Sequence, residues 1–211
     1  MSEFAHAIAF VIAHVGTAAY AALVFTLGLV GAFIAVRYRI EALIAFPRWM
    51  ANKLQGLIFL PPVLLFLLIF GFNGTAICAY MLTGAIHYLV PVFIAFMTGT
   101  NIGIIMLLGV TSPPDAPRQP VSFETNPRRQ AVAMLCGLLT ALLELPCFWL
   151  GIALGMTLGG FGGGTEGTRA AIAQRVRAYA QIILPILCIS AAAETLGIKL
   201  MIRTDRKEDD T

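Results

Sequence analysis

Apolar runs long enough to cross a bilayer, about 20 residues each, recur from the N-terminal region to position 202. No water reaches the backbone inside a hydrocarbon core, so only α-helices or a closed β-barrel can span it. Barrel strands alternate apolar and polar residues, and these runs do not. The expected fold is therefore all-α, a polytopic transmembrane helical bundle. Composition agrees: 59% of residues are hydrophobic, mean hydropathy is +0.86 and only 12% are charged, against roughly 25% in soluble domains. The opening "MSEFAHAIAF" lacks a basic region, and its apolar run continues well past signal-peptide length, so it reads as part of a span. Four cysteines, Cys78, Cys136, Cys147 and Cys188, stand singly in apolar segments. They read as small buried hydrophobes, without ligand or redox spacing.

Five spans are expected, at about 6–36, 54–72, 76–110, 130–158 and 178–202. Between the first two, "RYRIEALIAFPRWMANK" (37–53) combines basic residues with roughly helical apolar spacing, which predicts an interfacial amphipathic helix interrupted at Pro47. "GFNGT" (71–75) reads as a turn. Pro91, Gly99 and Gly103 suggest a kinked or broken third span. "SPPDAPRQPVSFETNPRR" (112–129) reads as a polar loop. Of the 14 Lys and Arg, five spans put all but Arg169, Arg175 and Arg177 on one side. By the positive-inside rule that side is cytoplasmic and the N-terminus lies outside the cell's inner (plasma) membrane. The whole of 1–211 is expected to form one membrane domain, with 203–211 a disordered cytoplasmic tail.

Two carboxylates stand apart from this pattern. Glu144 is near the middle of its span and Glu194 is about two turns from the end of the last. An acid at mid-membrane costs about 2.5–3.5 kcal/mol, and no Lys or Arg lies deep enough to pair with either. Each must be protonated, bonded to neighbouring polar groups, or facing a cation, substrate or partner. Adjacent spans run antiparallel, so the two can meet on facing helices and titrate as a coupled pair. Pro146 removes a backbone hydrogen bond to the carbonyl of Leu142 and is expected to kink the helix beside Glu144. Small residues at 190–193 allow close packing next to Glu194. With Thr140 and Ser190, these residues make up the candidate intramembrane polar site. A hydrogen-bonded helix contact, proton or ion handling, and a partner contact all remain open.

The run "ALLELPCFWLGIALGMTLG" (141–159) and the last-span run "AAAETLGIKL" (191–200) resemble the stage II sporulation protein M family of multi-span membrane proteins. "NGTAICAYMLTG" (73–84) matches an Asn-Gly segment of the same pattern. The family often carries Pro-His-Gly before the Glu, where this chain has Leu139, Thr140 and Ala141. What the resemblance implies is a non-enzymatic membrane scaffold or accessory protein that organises partner membrane proteins. The founding member serves cell-wall hydrolases in this way during engulfment. A different class stays open beside it: a small proton- or ion-coupled transporter or channel subunit working through Glu144 and Glu194.

Other features carry less. His14 and His87 would suit axial haem ligation from two spans, but hydrogen-bonded core histidines are the simpler expectation, and no cofactor or metal is expected. "GGFGGGTEG" (159–167) lacks the GK[ST] ending of a phosphate loop and reads as a flexible connection. Arg169, Arg175 and Arg177 are expected near lipid headgroups. The expected partners are the bilayer and other membrane proteins or further copies of the chain, not nucleic acid.

Overall fold

The computed structural model describes residues 3–109, 126–160 and 168–202. All of its elements are helical: α1 (Glu3–Ala13), α2 (Val15–Arg37), α3 (Glu41–Leu57), α4 (Pro62–Thr83), α5 (Leu89–Gly109), α6 (Pro127–Leu158), α7 (Thr168–Ala178), a π-helical turn (Tyr179–Ile183) and α8 (Leu184–Met201). Helices α2, α4, α5 and α6, and the continuous α7–π turn–α8, are each long and apolar enough to cross a membrane. The expected five-span, all-α bundle is the fold, and its character is that of a multi-pass membrane protein. Of the expected loop 112–129, residues 112–125 lie outside the described residues, as does the tail 203–211, whereas Pro127, Arg128 and Arg129 already form the first turn of α6.

Several boundaries differ from expectation. One straight helix over 6–36 would be about 46 Å long, well beyond a hydrocarbon core of about 30 Å. The chain instead breaks at His14, whose ring bonds the Phe10 carbonyl at 2.7 Å, and α1 packs against α7. "GFNGT" is not a turn: α4 runs through it to Thr83. Glycine weakens a helix by about 1 kcal/mol, but in lipid an open turn would strand several backbone groups, which costs more. The break falls at 84–88, so the two spans expected at 54–72 and 76–110 become 62–83 and 89–109. His87 lies in this exposed connection rather than inside a span. Its Nδ1 accepts from the Leu89 amide at 3.1 Å and so caps α5.

The expected interfacial helix is present as α3, and Pro47 does not interrupt it. One side of α3 seats Ile44 against Ala32, Ala35 and Ile104, while Phe46 and Trp49 are exposed. The α2–α3 junction is a tight helix stop. The Ile40 amide donates to the Ala35 carbonyl at 2.9 Å and the Arg39 amide to Val36 at 3.3 Å, with Arg39 in the left-handed region at φ 52°. Glycine is the usual residue there, and an L side chain costs about 1–2 kcal/mol.

Helix α6 is the axis of the molecule and touches α2, α4, α5 and α8. It opens on Asn126, whose side chain accepts from the Arg128 amide, and on Pro127 at its first position, where a missing N–H is harmless. Its first half is buried along one stripe. Its second half is buried all round, with Ile152, Ala153, Leu154 and Met156 fully enclosed. Around it close Phe25, Ile77, Met81, Ala95, Ile183 and Leu187. Helices α2 and α5 meet at backbone distance: a Cβ on Gly28 would strike the Phe96 carbonyl, and one on Gly99 the Phe25 carbonyl. Thr100 then donates across the gap to the Gly28 carbonyl at 3.1 Å.

Candidate functional site

The polar site forms where the first half of α6 meets α8. Positions 133, 136, 140, 144 and 147 recur at three- and four-residue intervals and share one face of α6. On α8 the matching row is Leu187, Ser190, Glu194 and Gly197, and the helices run antiparallel. Gly197 sits against Cys136, which brings Ser190 level with Thr140: its hydroxyl donates to the Thr140 carbonyl at 3.4 Å. The Thr140 hydroxyl bonds back to the Cys136 carbonyl at 2.9 Å. Ser190 is also placed to donate to the Glu144 carboxylate, and Glu194 is close enough for the two carboxyls to interact electrostatically. Cys147 completes the group as a buried neighbour of Glu144.

Glu144, Glu194, Thr140 and Ser190 therefore come together. Pro146 does not join them. It is exposed on the outward side of α6 together with Leu142, and the helix continues through it without a break. The backbone carbonyl that Pro146 leaves without its usual donor belongs to that outward side. Both glutamates are half-buried on the flank of the bundle, and neither has an ion-pair partner among the described residues. Thr195, next to Glu194, is 7% exposed and its hydroxyl oxygen has no hydrogen-bond partner among the described residues. Chemically, such a seam can hold and share protons and can accept a donor or cation from outside. Its own hydroxyls leave much of that acceptor capacity free.

The arginines expected at lipid headgroups separate into different roles. Arg169 is exposed. Arg177 is exposed as well and lies 3.8 Å from Glu3 of α1. Arg175 is buried, at 6% exposure. Its Nε donates to the Leu154 carbonyl at 2.9 Å, Nη1 to the Ala171 carbonyl at 2.9 Å and Nη2 to the Thr157 hydroxyl at 3.1 Å, with the Phe10 ring 5.8 Å away. It closes the C-terminus of α6, where carbonyls lack helical partners and a cation meets the negative end of the helix dipole.

Sequence reasoning also passed over Lys199. Its ammonium donates to the Ile58 and Leu60 carbonyls at 2.8 and 2.6 Å and ties the end of α3 to the last span. The available signal was a basic residue near the end of a span with no acid in reach. The pairing itself needed the tertiary fold.

A groove of about 480 Å³ opens between α4 and the last span. It is lined by Phe70, Gly71, Gly74, Thr75, Cys78, Ala79, Leu82, Tyr179 and Leu184, and includes neither glutamate. Tyr179 reaches across beside it to the Gly74 carbonyl at 2.6 Å. No protein-family model, characterised protein or solved structure matches this chain.

Proposed function

We propose that this protein is a non-enzymatic integral membrane scaffold or accessory subunit, which engages partner membrane helices through the α6–α8 seam. This is the kind of role implied by the resemblance to the stage II sporulation protein M family. One observation carries it: the two glutamates sit on the outer flank, while the interior of the bundle is filled by side chains such as Ile152, Leu154 and Met156 with no exposure at all. Carboxylates that served a conduction path through the molecule would face its interior. On the flank they meet whatever packs beside α6 and α8, next to exposed Gly137 and Ala141, which share the Glu144 side of α6. Polar groups that bond across helices are the usual adhesive of membrane helix association. In the same reading the basic end of the bundle is cytoplasmic, in the cell's inner membrane, with the N-terminus outside.

Two measurements test it together. Protein reconstituted in liposomes should be no more permeable to protons or alkali cations than protein-free vesicles. A photo-crosslinking residue at Ala141 should give a discrete adduct in native membranes, and Glu144→Gln with Glu194→Gln should weaken it. A flux that both Gln variants abolish would overturn the scaffold reading in favour of proton- or ion-coupled transport.

A further inference from the structure

The basic surface best suited to lipid lies at the opposite end of the bundle from Arg169, Arg175 and Arg177. We propose that the α2–α3 junction and the outward face of α3 form a binding site for anionic phospholipid, selective over zwitterionic lipid. On α3, Phe46, Trp49 and Lys53 are spaced at three and four residues and point away from the side that holds Ile44. The two rings are stacked with centroids 6.0 Å apart. Arg37, Tyr38 and Arg39 are exposed immediately before them, Tyr38 at 75%. Arg37, Arg39 and Lys53 have no ion-pair partner among the described residues. Aromatic side chains beside free cations, on a helix that follows directly from a span, match the chemistry of the headgroup layer. The rings enter the acyl boundary and the cations meet phosphate.

Arg39 adds an argument that composition alone would not give. The helix stop it occupies requires a left-handed backbone, φ 52°, which glycine adopts without strain. What arginine supplies there is the guanidinium, and nothing in the described protein uses it. Arg48, by contrast, already has Glu41 at 3.3 Å. A negative partner from outside the chain fits the three remaining cations, and the bilayer surface provides phosphate at that level.

Trp49 reports the occupant directly. Full-length protein is placed in phosphatidylcholine nanodiscs containing a small fraction of brominated phosphatidylglycerol or brominated phosphatidylcholine. The fluorescence read is the component that Trp49→Phe removes. Brominated phosphatidylglycerol should quench it at a several-fold lower mole fraction, and added salt should shrink that difference. Arg39→Gly should cut the preference about fivefold while leaving the melting temperature unchanged or higher. Lys53→Gln, which touches no turn, should cut it similarly. Equal quenching by the two lipids in the native protein overturns the proposal, as does a preference that survives both substitutions. A preference that emerges only on deleting residues 203–211 overturns it too, by assigning the patch to the chain's own acidic tail.

Discussion

A single arginine shows how far residue identity outruns residue position. Arg169, Arg175 and Arg177 share one short stretch and look interchangeable on paper. Only Arg175 falls on the face of α7 that meets the end of α6, where two of its hydrogen bonds join α7 to Leu154 and Thr157. Hydrogen bonds to a charged group contribute about 1.5–3 kcal/mol, and removing this side chain takes away both bonds that tie α7 to the end of α6. Arg175→Met should therefore destabilise the protein by about 2–3 kcal/mol, seen as a lower melting temperature in detergent, whereas Arg169→Met should change it little. Arg175→Lys should recover only part of the loss, because a lysine cannot reproduce the planar fork. The glutamates teach the complementary lesson. Their cost in lipid marked them in the sequence, and antiparallel spans allowed them to meet. Which neighbours they meet, Ser190 and Thr140, depended on the register of α6 against α8, set in part by the Gly197–Cys136 contact.

Among elements, small residues decide which helices approach and which cannot. In the sequence alone, Gly99 and Gly103 on α5 suggest a kinked or broken span. In the structure they are its contact surface against Gly28 and Ala32 of α2, the spacing at which membrane helices pack backbone to backbone. The signal was present as two glycines four residues apart, but a kink and an interface leave the same trace in one sequence. Gly28→Ala should destabilise by about 1–3 kcal/mol through overpacking. Gly16→Ala, in the same helix with nothing within 4 Å of the new Cβ, should be neutral or stabilising by up to about 1 kcal/mol. Thermal unfolding of the two variants side by side is the check. Equal effects would mean that helix propensity, rather than the α2–α5 contact, governs these glycines. The segment 71–75 makes the same point: glycine and asparagine argue for a turn in water, but in lipid the unmet backbone groups decide for helix.

At the scale of the whole molecule, the ends of the bundle are fastened by cations on carbonyls. Arg175 closes one end. At the other, Lys199 holds Ile58 and Leu60 and so anchors the segment between α3 and α4 to the last span. Lys199→Met should loosen that anchor, giving at least tenfold faster amide exchange over residues 57–61, equivalent to about 1.4 kcal/mol. Exchange in α6 should stay unchanged, and equal acceleration throughout would show instead that Lys199 supports the entire bundle. The sequence by itself determined that this chain is a bundle of five membrane-crossing helices with an amphipathic helix after the first. It also marked Glu144 and Glu194 as the residues whose presence needs explaining. These conclusions follow from lengths and transfer energies, which depend on residue type and little on neighbours. Only the tertiary structure decided where α4 ends, that Pro146 faces outward, that Arg175 is buried while Arg177 is not, and that the glutamates lie on the flank of a filled core. Each of those depends on helix phase and on contacts between residues far apart in the chain, which local pattern does not encode.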